Sequence, residues 1–316
     1  MQTEINKNLS LFDTNFSFFI DKTDVLIKKF FGKTDLFNIF DGDINLKFSE
    51  NIYLQSNFRT QLKFNKKFNY SKILEQNKFI KSVSDLDANL NNTIILNLDK
   101  TYKIQKYNIK STGKISKALL ALNQEHEIIS SQNLKTLLMT NTDIKLNIDT
   151  KQNTTNLSGT YSLNEGKLLK FFLENISGKK QTNLKLDIDY DKKVELDIIN
   201  YKKPQNTIAN FLFNLKKKDQ NIYFDKIDYK ESDNLINVSG LIIKKGKFSS
   251  LKKISVKTFK EKEKNNDFKI SYDKQIKISG TNFDATMLPK IIHQKSDKIN
   301  SFKINKEIEI DFKNVI

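Results

Sequence analysis

Apolar and polar residues alternate with period two along most of the chain, and this constrains the fold more than any other feature. Only a β-strand sends successive side chains to opposite faces. Ile44, Leu46 and Phe48 share one parity, as do Ile144, Leu146 and Ile148, then Phe268, Ile270 and Tyr272, then Ile276 and Ile278, and finally Ile308, Ile310 and Phe312. The intervening positions are mostly Lys, Asp, Asn and Ser. Leu184, Leu186, Ile188 and Tyr190 run into Asp191-Lys192-Lys193, after which Val194, Leu196 and Ile198 resume the pattern. That stretch predicts a hairpin around a short polar turn. The expected fold is mainly β: an elongated, curved antiparallel sheet, open as a trough or groove, with a few short helices and one wet face. Helical spacing is confined to Ala118–Leu122 with the downstream Leu134, Leu137 and Leu138, to Ser71–Phe79, to Leu168–Leu173, and to Asp284–His293, where Pro289 is early enough for a first turn.

A sheet of this kind needs apolar bulk, and the 316 residues supply it with 38% hydrophobic positions and 24 Phe. The 9 Gly and 2 Pro form no linker cluster, so residues 1–316 read as one continuous β region. An internal echo suggests a repeated unit: Asn156-Leu-Ser-Gly and Asn237-Val-Ser-Gly are each followed by a strand and a Gly-Lys turn, and Ser279-Gly280 opens a third. Glycine at such a step permits a bulge or a close backbone approach.

The formal charge of +17 does not point to nucleic acid. Arg59 is the only arginine and Trp is absent, whereas phosphate, guanine and base-stacking contacts draw on Arg and aromatic residues. With no cysteine, disulfides and thiolate chemistry are excluded. No apolar run approaches the roughly 18 residues of a membrane helix, Phe16–Ile20 being typical of the short runs present. The first residues, MQTEINKNLS, are acidic and polar, so any anchor or export signal is expected outside this stretch.

Catalytic groups are sparse. His126 and His293 stand in no metal-ligand spacing and read as a solvated loop residue and a helix end. Asp41 with Asp43, and Asp187 with Asp189, share strand faces and read as solvated pairs rather than an acid and base across a cleft. Asp225, Asp228 and Asp233 lack the Gly and Glu of a calcium loop. The expectation is a protein that is not an enzyme, with no cofactor and no metal.

Near the C-terminus, Lys277-Ile-Ser-Gly-Thr-Asn-Phe-Asp-Ala-Thr-Met-Leu-Pro-Lys-Ile-Ile, preceded by Asn237-Val-Ser-Gly and Gly246-Lys-Phe and followed by Phe302-Lys-Ile-Asn-Lys-Glu-Ile-Glu-Ile-Asp-Phe, resembles the strand, Phe-Asp-Ala and helix step of AsmA-like bacterial envelope proteins. The resemblance covers about 150–316. Phe283 reads as core and Asp284 as the N-cap of the next helix. What the resemblance implies is a periplasmic, membrane-associated piece of a longer protein, anchored to the inner membrane by a segment outside this chain. Such a protein passes phospholipid between inner and outer membrane without catalysis. The acyl chains would run along an apolar groove, for which Leu184, Leu186, Ile188, Val194, Leu196 and Ile198 are the candidates, and Ile316 would fall in mid-strand. The same alternation would equally serve a structural or adhesive β-repeat protein with a sealed core, and the lysine excess a module for anionic polymers.

Overall fold

The structure is a computed structural model that describes residues 11–34, 36–64, 80–123, 134–272, 275–293 and 307–316. Of these, 77% lie in strands and 2% in helix, as the alternation requires. The chain groups into two compact units, Met1–His126 with Asn133–Lys179, and Glu127–Gln132 with Lys180–Ile316.

The first unit is an up-and-down antiparallel sheet. Its strands are β1 (Phe12–Ile20), β2 (Asp24–Lys33), β3 (Phe37–Phe48), β4 (Ile52–Phe64), β5 (Ile80–Leu98), β6 (Ile104–Leu122), β7 (Thr136–Asp149), β8 (Gln152–Leu163) and β9 (Leu169–Gly178). Each pairs with the next in sequence. With so few Gly and Pro, Asp makes the turns. The Asp21, Asp99 and Asp149 side chains each accept two backbone N–H groups at 2.7–3.1 Å from the residues that follow. At Asp99, the Thr101 hydroxyl first and then the backbone N–H groups hold the carboxyl down at about 2. Irregular steps in the ladder fall beside left-handed residues, Lys29 (φ 54), Asp41 (φ 50) and Asn141 (φ 52), and such bulges bend the strands that carry them.

The second unit contains β10 (Gln181–Tyr190), a two-stranded ribbon of β11 (Glu195–Leu196) and β12 (Tyr201–Lys202), then β13 (Ala209–Lys218), β14 (Asn221–Glu231), β15 (Asn234–Lys244), β16 (Lys247–Ser250), β17 (Lys253–Lys260), β18 (Glu263–Tyr272) and β19 (Ile276–Phe283). The helix α1 (Leu288–His293) and β20 (Ile308–Val315) complete it. The main sheet runs β10, β13, β14, β15, β17, β18, β19, β20, with β16 also on β15. Every pair is antiparallel except β19 with β20, which is parallel and therefore needs the long connection that carries α1. Apart from the β11–β12 ribbon, these strands belong to one large, mostly antiparallel sheet that is not closed into a barrel.

Residues 118–122 and 134–138 form no helices: they lie in β6 and approaching and within β7, where Leu119 faces Leu138 and Leu120 faces Leu137. Cross-strand leucine pairs outweigh local helical spacing. Likewise, most of the 168–173 stretch belongs to β9. Residues 184–198 form no hairpin, because β10 pairs with β13 across the 191–208 excursion. The Ser-Gly steps lie inside β8, β15 and β19 rather than between strands, and a Cβ at Gly280 would stand 2.3 Å from the Asp267 carbonyl. The 71–79 segment and His126 lie outside the described residues.

A candidate apolar groove in the second unit

Reading the registers across the second sheet gives two unbroken apolar rows on one face. One is Leu186, Phe213, Ile227, Val238, Ile254, Ile270, Ile278 and Ile310. The other is Ile188, Phe211, Tyr229, Ile236, Val256, Phe268, Gly280 and Phe312. Each strand contributes because its alternation puts one parity on this face, and correct pairing then aligns the parities. The opposite face is polar: Asp187 and Asp189 are bridged there by the Asn210 amide at 2.7 and 3.2 Å.

The 191–208 excursion and α1 convert one end of this face into a cavity of about 630 Å³. The sheet lines it with Ile236, Val238, Ile254, Val256, Phe268, Ile270, Ile278, Phe283, Ile310, Phe312 and Val315. Ala285 and Leu288 close it from the helix side, and Leu196, Ile198 and Ile199 from the excursion. All sixteen lining residues are apolar. Phe268, Phe283 and Phe312 make an aromatic corner with ring centres 5.2–5.8 Å apart. The cavity is not sealed, for Ile198 is 61% and Ile310 is 65% exposed although both line it.

What holds the excursion down is a buried polar network. A 3₁₀ turn over Asp197–Ile199 ends on Asn200 in the left-handed region (φ 47), and the Asn200 amide donates to the Asp284 carboxylate at 2.9 Å. Asn265 donates to the same oxygen at 3.1 Å, while Asn266 donates to the Ile199 carbonyl at 2.8 Å and accepts from the Asp284 N–H at 3.0 Å. Asp284 is only 3% exposed. Burial pushes its carboxyl upward, but hydrogen bonds from Thr286, Asn265 and Asn200 outweigh this and hold it below the usual carboxylate value. The N-cap expectation is thus corrected: α1 begins at Leu288, and Asp284 instead fastens the excursion to the sheet.

A second tie lies alongside. The Tyr201 and Tyr229 hydroxyls are 2.6 Å apart, and Glu231 accepts from Tyr201 at 3.4 Å and from Asn234 at 2.8 Å. Burial pushes both phenols up, Tyr229 to about 12 and Tyr201 higher still. The Lys203 ammonium donates to the carbonyls of Thr207 (2.7 Å), Asp191 (3.2 Å) and Pro204 (3.4 Å), which gathers the excursion around its return into β13. Burial lowers its pKa, partly offset by the Glu231 and Asp191 charges.

The six groove candidates therefore divide. Leu196 and Ile198 line the cavity, and Val194, in the same excursion, is buried in the core cluster. Leu184, Leu186 and Ile188 stay on β10 and are not among the lining residues. Sequence reasoning missed Phe268, Ile254, Ile236 and Phe283 as lining groups, although β15, β17 and β18 carry the same parity signal. It also missed Asn265 and Asn266, because buried asparagines in a polar run give no signal. Among the described residues, no group of three or more His, Cys, Asp or Glu is placed to hold a metal ion, and no helix is long and apolar enough to cross a membrane. No family model, curated protein or solved structure matches this chain.

Proposed function

We propose that the second unit binds an aliphatic chain, such as the acyl tail of a lipid, in the groove under the 191–208 excursion, and that the protein handles lipid without catalysis. The observation that carries this reading is the all-apolar lining of a 630 Å³ cavity that remains open to solvent. Ligand pockets of about 300–1,000 Å³ normally mix an apolar wall with a few convergent polar groups that orient the ligand. Here no polar side chain lines the cavity, so its occupant gains by leaving water rather than by matched hydrogen bonds. A buried methylene gains about 0.8 kcal/mol, which favours long chains over short ones. Passage of lipid between bacterial membranes, a periplasmic setting and kinship to AsmA-like proteins are part of the same proposal and rest on the 150–316 resemblance.

The chain contains no Trp, so a single one in the groove gives an unmixed signal. Ile254→Trp places it on the cavity wall. Titrating delipidated protein with brominated fatty acids is expected to quench this emission, with affinity rising with chain length. Mass spectrometry of an organic extract of the purified protein is expected to find lipid. No quenching by any chain length, together with a lipid-free extract, would sink the proposal in favour of a structural sheet that binds no lipid.

A further inference from the structure

The apolar row that ends on Ile310 stops in solvent at β20, where Ile310 is 65% exposed and its strand neighbour Ile308 52% exposed, while the row that ends on Phe312 is half-buried. One edge of β20 is bonded to β19, and no described strand pairs with the other. The Ile276 N–H donates to the Glu307 carbonyl, so the backbone groups of Glu307 face β19 and, by alternation, those of Ile308, Ile310 and Phe312 face outward. An unpaired edge bearing exposed apolar side chains is a template for another strand.

The charges on β20 select which strand. Glu309 is already engaged by Lys277 and Gln275, both at 2.7 Å. Asp311 and Lys313 are exposed; Lys277, which is bonded to Glu309, also feels the Asp311 charge, but neither Asp311 nor Lys313 is in a direct ion pair among the described residues. We propose that the outer edge of β20 pairs antiparallel with the same edge of a second copy of this chain, about a dyad at Phe312. In that register Asp311 of each copy lies opposite Lys313 of the other, giving two complementary pairs. A dyad at Asp311 would oppose two carboxylates and pair Lys313 only with Glu309, which Lys277 and Gln275 already engage; a dyad at Ile310 would pair Lys313 with Glu307 but oppose Glu309 and Asp311 twice; and a parallel pairing in register would stack like charges. The exposed edge of β1 is also apolar, but it carries no lysine and its Asp13 is engaged by Lys33, so it offers no matching register. The dimer supplies the groove with the wall it lacks beyond Ile310. It deepens the chain-binding reading but stands on the edge of β20 and not on any ligand.

The test is a charge swap on the delipidated 316-residue chain, read by sedimentation equilibrium. The native chain is expected to dimerise reversibly. Asp311→Lys and Lys313→Asp are each expected to weaken the dimer about tenfold, since both pairs become repulsive. The double variant restores it, and mixing the two single variants gives a heterodimer tighter than either alone. Both positions are exposed, and strand content by circular dichroism confirms that each variant is folded. Because the chain has no cysteine, a second measurement is direct: Asp311→Cys mixed with Lys313→Cys should cross-link faster than either variant by itself. A monomer at high concentration, failure of the double variant to restore dimerisation, or cross-linking with no preference for the mixed pair overturns the proposal. None of these readouts involves lipid, so an empty groove with an intact dimer would sink only the chain-binding reading.

Discussion

Replacing Asp284 with Ala tests the tie that shapes the groove. The substitution strips the acceptor from Asn200 and Asn265, whose amides stand 2.9 and 3.1 Å away, while the exposed Thr286 can turn to water. A stranded buried donor costs about 1–3 kcal/mol, so the buried Asn265 and the half-buried Asn200 together give about 4 kcal/mol; relief of the carboxylate's own desolvation lowers the expected net to about 3 kcal/mol. In urea, with a slope of about 2 kcal/mol per molar, the midpoint of the second unit should fall by about 1.5 M. Tyrosine circular dichroism, to which the buried Tyr201 and Tyr229 contribute among the ten tyrosines, reports the transition, and the difference from native isolates the second unit. Lys290→Ala, at an exposed position of α1 outside the network, serves as the control and should shift stability by about 0.5 kcal/mol or less. The pH dependence has a definite sign. Because the folded carboxyl is held below its unfolded value of about 3.9, its contribution is complete above that value and is lost as pH falls through the lower, folded one. The native chain should therefore lose stability in acid more steeply than Asp284→Ala. An Asp284→Ala midpoint within about 0.5 M of native, or parallel acid profiles, would refute the assignment of Asp284 as the fastening group.

Three further outcomes are expected. Gly280→Ala should destabilise the second unit by about 2 kcal/mol or more by denaturation, since its Cβ would meet the Asp267 carbonyl at 2.3 Å and backbone must move. In an alkaline titration followed by phenolate absorbance, Tyr229 should ionise near about 12 and Tyr201 later. Their raised values mean that the associated stability is present below the ordinary phenol value of about 10 and is lost as pH rises through the raised ones. Ile310→Glu, at an exposed rim position, should leave stability within about 0.5 kcal/mol yet weaken fatty-acid binding several-fold, measured by quenching of a Trp at 254.

Strand content and the parity of each apolar face are local properties, and both are legible in the alternation: Phe268, Ile270, Ile276, Ile278, Ile310 and Phe312 all lie on the face their spacing predicts. Pairing is non-local. Val194, Leu196 and Ile198 alternate as well as any strand here, but Asn200 in the left-handed region and Pro204 interrupt the run, and its apolar side chains gain more by closing over the sheet than by extending it. The false helices at 118–122 and 134–138 have the same origin, since leucine-rich spacing is ambiguous until a neighbouring strand is supplied. Asp284 illustrates the reverse case: the sequence marks it as polar and near a helix, but its partners Asn200 and Asn265 are 84 and 19 residues away.

The first unit explains why the groove is assigned to the second. Its apolar face also runs from strand to strand, as in Leu46, Leu54 and Leu96. That face is crossed by a polar rung, in which the Asn92 amide donates to the Thr60 hydroxyl at 2.9 Å and the Ser111 hydroxyl donates to Asn92 at 2.7 Å. An aliphatic chain lying across β4, β5 and β6 would cover these groups without adding a hydrogen bond, and would meet a polar band in mid-path. In the second unit the two rows carry no polar group that lacks an apolar ring, Tyr229 alone ending in a hydroxyl that is turned to Tyr201. Polar groups gather instead behind the cavity, around Asp284 and Glu231, where they bind the excursion rather than an occupant. Segregating polar ties from the apolar lining lets one short excursion be anchored by specific hydrogen bonds while the space beneath it stays dry enough to favour an aliphatic chain.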